Sequence, residues 1–207
     1  MTTFALIRHA SHALLGHTIV GRLPGVQLSA RGLGEADALA CRLEGWPIHA
    51  LYSSPLERAR ATAAAIADRL RLEVQAADEL NEIDYGAWTN RTLADLRQIP
   101  EWRRFNLFRS GSRIPGGESM VEVQDRMLQL IERLCCAHPE QTVALVGHGD
   151  VIKAALAYYL GVPLDLFGRI ELSPASLSVI RVEPHGPQVL LINGLVEERL
   201  LRSQVAA

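Results

Sequence analysis

Lysine is all but missing from this sequence. Twenty arginines stand against a single lysine, Lys153, in a chain of 207 residues. A bound anion is therefore expected to be held by bidentate guanidinium forks. Cysteine is scarce too. Cys41, Cys135 and Cys136 are an odd set with two neighbours and no Cys-x-x-Cys, a poor disulfide framework. No like-charge run reaches five residues and the net charge is −2, which argues against a nucleic-acid tail or a polybasic membrane anchor. No apolar run approaches the ~20 residues of a membrane span. The N-terminus lacks the basic region and apolar core of a signal peptide. Together these absences predict a soluble protein of a reducing compartment, the cytoplasm, with neither a nucleic-acid nor a membrane partner.

What is present is ordinary globular composition, 48% hydrophobic and 21% charged. A chain of this length buries roughly 70% of its unfolded surface without a metal or disulfide staple. It makes one domain, or one domain with an inserted subdomain.

Phe4 to Ile7 is a short apolar run ended by Arg8-His9, which reads as a buried strand. Arg31 to Leu43 reads as a helix stopped at Gly45 and Pro47. Ala50 to Ser53 is a second strand. A helix should follow to about Leu70, with Ser54 as N-cap, Pro55 in the first position and Glu57 closing a capping box. Ser119 and Glu122 predict another capping box, ahead of Met120, Val123, Met127, Leu130, Ile131 and Leu134 at helical spacing. Thr142 to Val146 is a strong buried strand, broken by Gly147-His148-Gly149. Asp150 should cap a helix running to about Leu160. Leu177 to Val182 and Gln188 to Ile192 read as a hairpin.

This alternation predicts a three-layer α/β/α sandwich with a mostly parallel sheet. Residues 83 to 118 are the least regular and read as a small helical cap inserted into the single domain. Trp88, Trp102, Phe105 and Phe108 should pack it, and Arg103-Arg104 should lie on an exposed helix face.

The chemistry gathers at strand ends. Arg8-His9 follows the first strand, Arg58 lies in the first turn of the helix after the second, and His148 follows the Thr142–Val146 strand. Ligands of open α/β sheets bind beyond the carboxyl ends of the strands. Two arginines and two histidines there would repel one another unless an anion sat among them. Arg58 in a first turn is unfavourable to the helix dipole, which also favours an anionic neighbour. A phosphoryl group, dianionic and ringed with acceptor oxygens, suits the place. His9-x-x-His12 has neither the two-histidine helix spacing nor the nearby carboxylates of a metal site, so no metal is expected.

The ordered motifs resemble the histidine phosphatase superfamily, in its phosphoglycerate-mutase-like branch. They are Leu6-Ile7-Arg8-His9-Ala10, Leu28-Ser29-Ala30-Arg31-Gly32, Ser53 to Ala59 with Thr62-Ala63, Leu80-Asn81-Glu82 with Tyr85-Gly86 and Trp88, Pro115 to Ser119, and Val146 to Gly149. The resemblance covers nearly the whole chain and looks most like the broad phosphatases and alpha-ribazole phosphatase. It implies His9 as a nucleophile forming a phosphohistidine. Arg8, Arg58 and His148 become the phosphoryl pocket. Glu82 becomes the proton donor to the leaving oxygen and then the base for water. No cofactor is implied.

The sequence departs from the family after the nucleophile. Ala10 stands for glycine, Ser11-His12 for Glu-Thr, and Leu15 for a phosphate-binding asparagine. His12, His17, Gly21 and Arg22 are candidates to rebuild that wall. Substrate binding is assigned to His12, Gly21, Arg22, Tyr85 and Gly149. The expected function is phosphomonoester hydrolysis of a small phosphorylated metabolite. Phosphoryl transfer of the phosphoglycerate mutase type is the alternative, and a non-catalytic phospho-ligand-binding domain the second.

Overall fold

A computed structural model describes residues 1–195. In chain order the elements are β1 (Thr2–Arg8), α1 (Ala30–Leu43), β2 (Ile48–Ser53), α2 (Glu57–Leu70), β3 (Val74–Ala76), α3 (Leu93–Leu96), α4 (Pro100–Leu107), α5 (Met120–Ala137), β4 (Thr142–Gly147), α6 (Gly149–Leu160), β5 (Leu177–Glu183) and β6 (Gly186–Gly194). The strands form one sheet in the order β3-β2-β4-β1-β5-β6. β1, β2, β3 and β4 run parallel, and β5 is antiparallel to both of its neighbours. The fold is the α/β sandwich with a mostly parallel sheet that the alternation predicts. Among the described residues no helix is long and apolar enough to cross a membrane.

Strand periodicity builds the two faces. Successive side chains of β1 point to opposite sides. Phe4 and Leu6 join Val143, Leu145 and the apolar faces of α5 and α6 in one core. Ala5 and Ile7 join Ala144, Val146 and the faces of α1 and α2 in the other. A strand covered on both sides must be apolar throughout, which is why Phe4-Ala5-Leu6-Ile7 shows no alternation. On α5 the six residues at helical spacing are the ones buried, each worth roughly 1.5–3 kcal/mol. Its capping box is formed. Ser119 Oγ accepts from the Glu122 amide, and the Glu122 carboxylate accepts from the Ser119 amide at 2.9 Å.

Segment 83–118 carries α3 and α4, and its buried Ile83, Tyr85, Trp88, Leu96, Phe105 and Ile114 share the α5–α6 core. Trp88 meets Trp102 and Phe105 edge-on, with centroids 5.2 and 5.5 Å apart. Phe108, expected to pack there, is 45% exposed. Arg103 and Arg104 lie exposed on α4.

Three local expectations fail. Ser54 does not cap α2. The N-cap is Leu56, with no side-chain cap bond, because the Ser54 hydroxyl is engaged by His148 Nε2 at 2.9 Å. Glu57 closes no box, because its carboxylate accepts from the Gly25 amide instead. Asp150 does not cap α6. His148 is the N-cap, and the Asp150 carboxylate accepts from the Tyr85 hydroxyl at 3.0 Å. β3, an exposed three-residue strand, is too short to show a periodic signal.

Candidate active site

Register brings the strand ends together. Arg8 on β1 pairs with Gly147 on β4, and Val146 on β4 with Ser53 on β2. The residues just past these pairs, His9, His148 and Ser54, therefore emerge side by side. The loop after His9 is then fixed. The Ala10 amide donates to Thr62 Oγ1 on α2, and the Ser11 amide to Glu35 on α1. Gly32 at the start of α1 packs so closely that a Cβ there would lie 1.9 Å from the Ser11 carbonyl oxygen.

The His9 and His148 rings lie with centroids 5.1 Å apart, and His12 is 5.5 Å from His9 on another side. His9 Nδ1 lies 2.8 Å from the Ala10 carbonyl. A carbonyl only accepts, so Nδ1 carries the proton and Nε2 keeps its lone pair. Burial, then the Arg58 charge, hold His9 well below the usual histidine range, and burial does the same to His148. Both rings are neutral at physiological pH. Arg58 Nη2 donates to His148 Nδ1 at 3.2 Å and to the Gly21 carbonyl at 2.8 Å. His148 Nε2–H then donates to Ser54.

Arg58 is fully buried, and its Nε and Nη1 have no partner among the described residues, nor does Arg8 Nε. Buried cationic donors left unpaired are costly. An anion rich in acceptor oxygens removes that cost. Arg8 Nη1 is anchored on the Leu172 carbonyl, so its fork is held in place.

Glu82 follows a short 3₁₀ turn, Asp78–Leu80. Its Oε2 lies 3.8 Å from His148 Nδ1, and its Oε1 accepts from the Ile83 amide at 3.0 Å. Burial, then the negative Asp150, raise its pKa to about 7, against the pull of Arg58. A carboxyl that holds its proton near neutrality can act as an acid there.

A cavity of about 170 Å³ is lined by Arg8, His9, Arg58 and Glu82 together with His12, Gly21, Tyr85 and Gly149. His12 Nδ1 is buried without a partner, and burial draws its pKa to about 4. Two candidates for the rebuilt wall do not reach the cavity. Arg22 donates to the Glu82 carbonyl at 2.8 Å and pairs with Glu118 at 3.0 Å, so it braces the acid from behind. His17 is exposed. Sequence reasoning missed Asp150 and Lys153, which line the same cavity. Both follow Gly149 within one turn of α6, and the solitary lysine was the available signal. Among the described residues no group of three or more histidine, cysteine or acidic side chains is arranged to hold a metal ion.

Gly149 is required by close approach. A Cβ there would meet Arg8 Nε at 3.1 Å. Gly149→Ala is expected to displace the guanidinium and weaken inorganic phosphate binding roughly tenfold, about 1.4 kcal/mol. The melting temperature should barely change, since no backbone strain is introduced. Product-inhibition titration reads the effect, and an unchanged phosphate constant would contradict it.

A profile of the histidine phosphatase superfamily (branch 1) matches residues 4–194. Phosphoserine phosphatase 1 of Hydrogenobacter thermophilus is 34% identical over 198 residues, 93% of this chain and 92% of that one. A probable phosphoglycerate mutase, GpmB of Proteus mirabilis, is 36% identical over 154 residues, 73% of this chain and 71% of its own. The solved structure of Bacillus stearothermophilus YhfR superposes with a TM-score of 0.89 at 26% identity, covering 95% of this chain and all of the other. The strand-end histidines and arginines thus sit in a chain that belongs to the histidine phosphatase superfamily, branch 1.

Proposed function

We propose that the protein hydrolyses small phosphomonoesters through a phosphohistidine on His9. The observation that carries this reading is the His9 ring itself. It is neutral, its Nδ1 proton is anchored on the Ala10 carbonyl, and it lies in a cavity lined by guanidinium donors that lack partners. His9 Nε2 attacks phosphorus in line with the ester oxygen. Arg8 and Arg58 take up the charge that develops on the equatorial oxygens. His148 holds Arg58 in position by accepting from its Nη2 at Nδ1. Glu82 gives its proton to the departing alkoxide. It next takes one from the water that attacks the phosphohistidine, which restores both groups. His12, Gly21, Tyr85 and Gly149 form the substrate wall, and no metal takes part. The three thiols are free, in keeping with a cytoplasmic protein. Residues 83 to 118 act as a cap on one domain.

The test incubates the protein with phosphoserine, phosphoglycerates and simple alkyl phosphates, with and without EDTA, and measures free phosphate and isomerised product. Free phosphate, undiminished by the chelator, is expected. Isomer without phosphate favours the mutase reading, which the likeness to the Proteus protein supports. Binding with neither product points to a non-catalytic domain. Strong loss on chelation, restored by one divalent ion, would overturn metal independence.

A further inference from the structure

Ser54 stands behind the phosphoryl pocket with no part in the chemistry above. It is fully buried and lies just past β2, where its amide donates to the Val146 carbonyl of β4 at 2.9 Å. That backbone bond sets its side chain beside His148. A guanidinium only donates, so the bond from Arg58 Nη2 to His148 Nδ1 at 3.2 Å requires a lone pair on Nδ1. The proton of the neutral ring is then on Nε2, 2.9 Å from Ser54 Oγ. Ser54 donates in turn to Asn81 Oδ1 at 3.4 Å. The Asn81 amide nitrogen faces the Asp78 carboxylate, so the oxygen is the end left for Ser54. The donors thus point one way along Arg58, His148, Ser54 and Asn81, and the chain ends next to the acid, Glu82.

We propose that Ser54 is a positioning residue: by accepting from His148 Nε2 it fixes the tautomer of that ring, whose free Nδ1 then holds the Arg58 guanidinium where its unpartnered Nε and Nη1 meet the phosphoryl oxygens. The inference rests on the phosphoryl-transfer reading above and deepens it. The other tautomer would set Nδ1–H against an Arg58 N–H, two donors face to face, and the guanidinium would have to swing away. A competing pull exists. Glu82 Oε2 lies 3.8 Å from Nδ1, beyond hydrogen-bond reach, and whenever Glu82 is ionised it favours a proton on Nδ1. Among the described residues only Ser54 accepts at Nε2 and opposes that pull.

The experiment uses wild type, Ser54→Ala and Ser54→Thr, each also in an Arg58→Ala background. Long-range ¹H–¹⁵N correlation of histidine-labelled protein reads the ring state, with the His148 signal identified by its loss in His148→Asn. Wild type should show the proton on Nε2 of His148 and on Nδ1 of His9, opposite tautomers in one site. Ser54→Ala should move the His148 proton to Nδ1. It should also weaken inorganic phosphate binding and kcat/KM roughly ten- to a hundred-fold, the scale of an orphaned buried donor. The loss should be equal on alkyl and 4-nitrophenyl phosphates, because the defect is at the phosphoryl end. Ser54→Thr keeps the hydroxyl and should keep the tautomer. With Arg58 already removed, Ser54→Ala should weaken phosphate binding hardly further, since the serine acts through the arginine. Additive losses, an Nδ1 proton on wild-type His148, or a Ser54→Ala protein with unchanged phosphate affinity would overturn the proposal. A folded wild type that hydrolyses no ester would overturn the phosphatase reading alone, because the ring state and the phosphate titration need no turnover.

Discussion

His9→Ala is expected to lower phosphatase turnover by at least about 10⁴-fold, the scale on which losing a catalytic nucleophile is felt, while the protein still folds and binds phosphate. Water cannot stand in for the imidazole. The ring sits on an anchored loop, its Nδ1 tied to the Ala10 carbonyl and the Ala10 amide tied to Thr62, so the nucleophile's position is set before substrate arrives. Folding should survive, because the ring's only hydrogen bond among the described residues is to the neighbouring carbonyl and the space it leaves opens into the existing cavity. Phosphate binding should survive, because Arg8 and Arg58 are untouched. Acid-quenched mixtures with labelled substrate should show acid-labile phosphate on the wild-type chain and none on the variant. Retention of more than a few per cent of the wild-type rate would sink the covalent route.

Glu82→Gln should divide substrates by leaving group. An alkoxide needs a proton as it departs, whereas 4-nitrophenolate leaves as a stable anion. The variant is therefore expected to lose about 10²–10⁴-fold on an alkyl phosphate, the range for general acid catalysis, and far less on the nitrophenyl ester. Wild-type kcat/KM on the alkyl ester should fall as pH rises through about 7, where Glu82 gives up its proton. The variant should lack that limb. His9 and His148 do not contribute it, because both are already neutral there. Equal losses on both esters would remove Glu82 from the acid role. Stability gives an independent readout. The folded pKa is raised above the unfolded carboxyl value of 4.5 to about 7. The folded state therefore binds more protons between those values, and stability falls as pH rises across them. Glu82→Gln should flatten this slope, so that the variant is the more stable protein at pH 8 but not at pH 4.

The parts of the molecule legible in the sequence are those where one local rule acts alone. The β1 and β4 runs are apolar because they are covered on both faces, and the charged pair or glycine-histidine that ends each run marks the sheet edge where the cavity lies. The buried face of α5 follows from spacing, and its capping box needs only residues three apart. Where a side chain has a distant competitor, the local rule fails. Ser54 and Glu57 have the form of a cap, but His148 and Gly25 claim them across the fold. Asp150 has the form of a cap, but Tyr85 takes it. Arg22 looked like a phosphate ligand, and a carboxylate from residue 118 holds it elsewhere. Asp150 and Lys153 were hidden by position, since a polar residue inside a helix declares no direction until the neighbouring wall is known.

The single lysine also gives the molecule an unusual spectroscopic handle. Reductive methylation with ¹³C-formaldehyde modifies amines while keeping their charge. In this sequence only one side chain, Lys153, carries an amine, and it stands in the wall of the cavity. Its dimethylamine resonance would be a lone side-chain signal against an unlabelled background, free of the overlap that many lysines bring. The line would report the electric field and hydration of the cavity directly, residue by residue assignment being unnecessary.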